Sequence, residues 1–145
     1  MPIGETKMLP RECDTIAPDG SEVRVLLALS GCSMAHFLLP AGQASAAVRH
    51  RTVQEIWYIL SGCGEMWRCD GEAAEITTLA PGLCLTIPVG TAFQFRCIGD
   101  EPLAVVGVTL PPWPGETEAE PAQGPWRATH LGCHDTPDRT LSAAT

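Results

Sequence analysis

The chain has 145 residues, 45% hydrophobic and 18% charged, the composition of a globular domain long enough to bury a core. Its net charge of −8, with only nine Lys and Arg, excludes a surface built to neutralise the phosphates of nucleic acid. No apolar run approaches the roughly 18 residues of a membrane span. Residues 1–10 are polar and lack the apolar centre of a signal sequence, so the expected location is cytoplasmic.

In chain order, residues 1–20 read as an irregular lead-in that ends in turn chemistry at Pro18-Asp19-Gly20. Strand-like runs follow at Glu22–Leu29, Met34–Leu39, Glu55–Leu60, Gly64–Cys69, Ala74–Leu79, Leu83–Ile87, Ala92–Cys97 and Leu103–Leu110. Asp70-Gly71 is a two-residue hairpin signal between two of them, and Pro81-Gly82 and Gly99-Asp100 punctuate others. Short strands at intervals near ten residues, without a helical period, predict an all-β sandwich or barrel over 21–112. Residues 113–145 form an extension. It opens with the breaker Pro111-Pro112-Trp113-Pro114-Gly115, continues with the acidic stretch Glu116–Glu120, and is expected to be loosely docked or mobile from about Arg127. The tail carries His130, Cys133 and His134, a compact set of donors read as a solvated tail that would take up adventitious metal. Seven cysteines, an odd number with no C-x-x-C pair, read as buried thiols in a reducing compartment rather than a disulfide framework.

The densest signal lies between Gly42 and Gly62. Gly42 is followed by five residues and Val48, then one residue and His50, four residues and Glu55, six residues and Gly62. Further on, Gly82, Pro88 and Gly90 keep the intervals of a second motif, with Phe93 and Cys97 at its last two landmark positions. In these spacings the chain resembles the cupin superfamily, whose two motifs read G-x5-H-x-H-x(3,4)-E-x6-G and G-x5-P-x-G-x2-H-x3-N. Val48 stands where the first histidine belongs, Phe93 where the third belongs and Cys97 at the asparagine. The resemblance spans about residues 22–110. It implies a double-stranded β-helix, the cupin jelly-roll barrel, in a single copy and as a homodimer.

The resemblance also implies that His50 and Glu55 turn into the barrel as two of four ligands for a divalent first-row transition ion. Val48 and Phe93 have no lone pair to donate, and a tight site normally supplies three or four protein ligands. Either no metal is held, or His36 or Cys97 completes an altered set. Without metal, a buried His50–Glu55 couple would serve as an acid–base pair or simply line a polar pocket. Alternation along strands places Trp57 on the Glu55 face, and Phe95 and Cys97 on the Phe93 face. Val48, Trp57, Phe93, Phe95 and Cys97 are therefore the candidate substrate-binding residues around His50 and Glu55. Arg68 or Arg96, if inward, would bind a carboxylate.

These readings lead to a small barrel that takes a small organic molecule in its lumen, with isomerase- or cyclase-like acid–base chemistry that needs no metal. A metal-dependent oxygenase, lyase or isomerase with altered ligands is one alternative. A non-catalytic dimerisation module is the other.

Overall fold

A computed structural model describes residues 3–129. It is all-β apart from one 3-10 turn, and its strands form two antiparallel sheets packed face to face. In chain order the strands are β1 (Thr15–Ile16), β2 (Glu22–Leu29), β3 (Cys32–Leu39), β4 (Val48–His50), β5 (Gln54–Ser61) and β6 (Cys63–Cys69). They continue with β7 (Ala74–Leu79), β8 (Cys84–Ile87), β9 (Ala92–Ile98), β10 (Leu103–Leu110) and β11 (Ala119–Pro121). One sheet runs β1-β2-β3-β10-β5-β8 and the other β11-β4-β9-β6-β7. The chain therefore crosses repeatedly between sheets, as the double-stranded β-helix expected from the motifs requires.

Side-chain alternation decides which face of each strand is inside. Along β5, Glu55, Trp57 and Ile59 are buried while Ile56, Tyr58 and Leu60 are exposed. Leu39, Trp57, Ile59, Met66, Phe93, Phe95 and Val105 belong to one continuous core between the sheets. Each large apolar side chain buried there contributes about 1.5–3 kcal/mol. β9 is buried on both sides, because residues 122–129 lie across its outer face. Gln94 donates from Nε2 to the carbonyls of Ser45 and Trp126 (both 2.7 Å) and accepts from the Trp126 N–H. Thr129 is held to Ala44 by backbone and side-chain hydrogen bonds.

Two glycines are dictated by close approach. Gly62, the last residue of the first motif, has φ +82, and a Cβ there would sit 2.3 Å from the Pro102 carbonyl oxygen. At Gly107 on β10 a Cβ would come within 2.6 Å of the Phe37 ring and 3.2 Å of Trp57, so its absence lets those rings stack across the strand.

Three short strands lay outside the sequence reading: β1 in the lead-in, β4 within the first motif, and β11 in the acidic extension. β11 pairs with β4 through Ala119↔His50, Glu120↔Arg49 and Pro121↔Val48, which ties the extension to the motif. The hairpin at Asp70 is wider than the two residues expected. The ladder closes at Cys69↔Ala74, and Asp70 Oδ1 accepts from the Glu72 and Ala73 N–H groups across the loop (both 2.9 Å).

Candidate functional site in the barrel lumen

The motif residues line a partly open cavity of about 390 Å³ between the sheets. β4 delivers His50 and β5 delivers Glu55, both buried, with His50 Nδ1 2.9 Å from Glu55 Oε2. That approach lies off the ring N–H direction, so Nδ1 makes no directed hydrogen bond despite the short distance. The other carboxylate oxygen is fixed more firmly, since Trp57 Nε1 donates to Glu55 Oε1 at 2.7 Å. Glu55 and Trp57 are two apart on the same strand, and this spacing makes the bond possible.

Aromatic rings form most of the remaining wall. Phe93 meets the His50 ring edge-on at 5.2 Å, and Trp113 does so from another side at 5.1 Å. Phe37 stacks on Trp57 at 5.6 Å. Trp113 is positioned by its backbone N–H, which donates to Ser33 Oγ (3.0 Å). Ser33 Oγ in turn lies 2.5 Å from Thr109 Oγ1.

The lead-in supplies a second carboxyl group. Asp19 is buried and lines the same cavity, with Oδ1 accepting from Ser21 N (2.9 Å) and Ser21 Oγ (2.7 Å). Loss of water around it pushes its pKa up. The Ser21 hydrogen bonds oppose that rise, and the charge of Glu55 adds to it.

Glu118 performs a different task behind His50. It accepts from Thr52 N (2.5 Å), Thr52 Oγ1 (2.6 Å) and Val53 N (2.9 Å), fastening the extension to the loop between β4 and β5. Burial disfavours its charge, but those bonds outweigh burial and hold its pKa below the usual carboxylate value.

Of the residues singled out in the sequence, Val48, His50, Glu55, Trp57 and Phe93 line the cavity. Phe95 packs behind Trp57, with ring centroids 5.0 Å apart, and Cys97 lies in the core with its thiol donating to the Glu101 carbonyl. Neither reaches the cavity. His36 is buried on the other side of β3 from Phe37, beside its cross-strand neighbour Arg24. Desolvation and then the Arg24 charge lower its pKa, and its Nδ1 has no partner. Arg96 faces outward, paired with Glu65 and lying over Trp126 at 4.3 Å. Arg68 falls on the Met66 side of β6, but its guanidinium donates to Thr86 O, Glu75 and Thr77 and is absent from the cavity wall. His130, Cys133 and His134 lie outside the described residues.

Asp19, Phe37, Thr109, Trp113 and Glu118 were not picked out from the sequence as site residues. The tryptophan inside a proline-rich breaker was the one visible cue. An aspartate in a turn and a glutamate in an acidic stretch carry no sign in the sequence that they are buried.

The donor set does not suit the metal that the motifs imply. Val48 and Phe93 fill two of the four ligand positions with hydrocarbon, and Trp57 already occupies one oxygen of Glu55. Among the described residues, no three His, Cys, Asp or Glu side chains converge as a metal site. A wider cleft of about 530 Å³ on the outer side, near Arg96 and Trp126, is open to solvent and is lined by no histidine or carboxylate among the described residues.

A jelly-roll barrel whose lumen is reached by the His50 and Glu55 motif strands defines a cupin-type binding fold. Residues 35–109 match the family described as "Cupin domain", and the chain belongs to that family. It is 34% identical over 119 residues to an uncharacterized protein of Methanocaldococcus jannaschii, covering 76% of this chain and 92% of that one. An uncharacterized conserved protein from Klebsiella pneumoniae with a double-stranded β-helix domain is similar in structure. Its TM-score is 0.60 at 23% identity, covering 72% of this chain and 80% of that one. KdgF from a Halomonas species superposes with a TM-score of 0.60 at 14% identity, covering 74% and 94% respectively. At these identities the structural likeness establishes the fold alone.

Proposed function

We propose that the chain binds a small organic molecule in the barrel lumen, and that His50 and Glu55 perform acid–base chemistry there without a metal. One observation carries the reading: Glu55 is clamped between Trp57 Nε1 and the His50 ring at the polar end of a cavity walled by aromatic rings. The volume of about 390 Å³ falls in the range of small-molecule sites, and a few convergent polar groups in an apolar wall are their usual make-up. In an isomerisation or cyclisation one member of the couple accepts a proton from the bound molecule and the other returns one, so no redox partner is required. The same reading places the protein in the cytoplasm, supported by six cysteines that are all free among the described residues. It also includes assembly as a homodimer.

The test is metal content per chain, by plasma mass spectrometry on untagged protein, for the wild type, His50→Ala and a chain ending before His130. Native mass spectrometry of the same samples would look for a retained organic ligand. Substoichiometric metal is expected in all three, with any trace lost on truncation. Near-stoichiometric metal that survives truncation and disappears with His50 would overturn the metal-free reading.

A further inference from the structure

Resting on the lumen-binding reading above, we infer that the ligand is neutral or cationic, an apolar molecule bearing an amine or hydroxyl group, and that anions are rejected. The charge of the cavity wall carries this. Among the described residues its ionisable side chains are Asp19, His50 and Glu55, with no Lys or Arg. Two of these groups, Asp19 and Glu55, can carry a negative charge, and His50 alone can carry a positive one. A carboxylate or phosphate entering this cavity would leave water to face two carboxyl groups and no guanidinium or ammonium group of the described wall, and that is costly away from water.

The acceptors suit a donor-rich head group. Among the described residues, Glu55 Oε2 receives only the off-line approach of His50, and none hydrogen-bonds Asp19 Oδ2. Neither ring nitrogen of His50 has a hydrogen-bond partner among the described residues. An ammonium or hydroxyl group at this end would satisfy atoms that the fold leaves without directed bonds. The faces of Phe37, Trp57, Phe93 and Trp113 favour the apolar remainder of the molecule, and a cation beside them gains from the ring quadrupoles. Arg68, on the inner side of β6, does not line the cavity; its two terminal nitrogens donate to Glu75, Thr77 and the Thr86 carbonyl, and its Nε is buried without a partner among the described residues.

The experiment titrates the full-length protein near neutral pH with phenethylamine, phenethyl alcohol and phenylacetate. Affinity is read by calorimetry and location by the His50 ring resonances in NMR. The amine is expected to bind most tightly, the alcohol next, and the acid about tenfold or more below the amine. Glu55→Gln should bring the amine down to the level of the alcohol, with an unchanged far-UV circular dichroism spectrum and cooperative melt to show that the variant is folded. Phenylacetate binding as tightly as phenethylamine would overturn the charge preference and leave the lumen-binding reading standing. If none of the three shifts His50 up to its solubility limit, the lumen reading fails and this inference fails with it. An amine advantage that survives in both Glu55→Gln and Asp19→Asn would overturn the assignment to these carboxyls.

Discussion

A carboxylate that accepts from an indole N–H two residues along its own strand is held in one orientation before any ligand arrives. Trp57→Phe keeps most of the ring volume and removes that donor. It is expected to cost about 1.5–3 kcal/mol, the range for a hydrogen bond to a charged group, read as a lower urea midpoint at unchanged slope. Asp19 gives a prediction of opposite sense. Its folded-state pKa lies above the ordinary 3.8, so the folded protein holds this proton more tightly than the unfolded chain. Its contribution is therefore fully present below pH 3.8 and is lost as pH rises through the raised value. Asp19→Asn keeps an oxygen for the Ser21 donors but cannot ionise. It should match the wild type at low pH and exceed it in stability at neutral pH, and equal stability curves at every pH would refute the assignment. His50, Glu55, Val48 and Phe93 were legible from intervals alone because the motif fixes their strands. Asp19 was not, because a Pro-Asp-Gly-Ser turn carries no sign of which way its carboxyl points.

Strands are positioned here by two devices that border the cavity. Gly107 leaves room for the Phe37–Trp57 stack. In Gly107→Ala the new methyl group would force the Phe37 ring aside, at a cost of about 1–3 kcal/mol typical of overpacking, and would disturb the Trp57 bond to Glu55. Thermal melts together with the indole N–H resonance of Trp57 would check both effects. The second device is β11 with Glu118, whose three hydrogen bonds bind the extension to the loop after His50. Its pKa is depressed below 4.5, so its stabilisation is present above that value and is lost as pH falls through the lower, folded-state value. Glu118→Gln should therefore lower stability at neutral pH and converge with the wild type in acid, and acid-unfolding curves would show it. Eight strands were readable from alternation. β1, β4 and β11 were not, because two- and three-residue segments are too short to carry a period and form only because neighbouring strands offer them partners.

Across the whole molecule, the outer face of the six-stranded sheet is conspicuously apolar. Ile56 and Tyr58 on β5 are each about half exposed, and the register sets them beside Val108 and Val106 of β10. Met34 of β3 continues the Ile56 row. A second copy of the chain covering this face is the arrangement we propose, since contiguous exposed apolar rows of this kind mark interfaces. Light scattering should then give twice the 15.4 kDa chain mass, and the double variant Ile56→Lys, Tyr58→Lys should return the monomer. A wild-type mass of one chain would refute the dimer. The barrel itself was legible because two spaced motifs and regular strands agreed, whereas the closing of its mouth depends on segments that the motifs do not include. Asp19 precedes the stretch shared with the family at residues 35–109, and Trp113 and Ala119 follow it, yet all three face the lumen. A match over that stretch therefore specifies the frame and leaves part of the lumen wall unspecified. Likeness judged on residues 35–109 alone groups proteins by their architecture and says little about what lines their interiors.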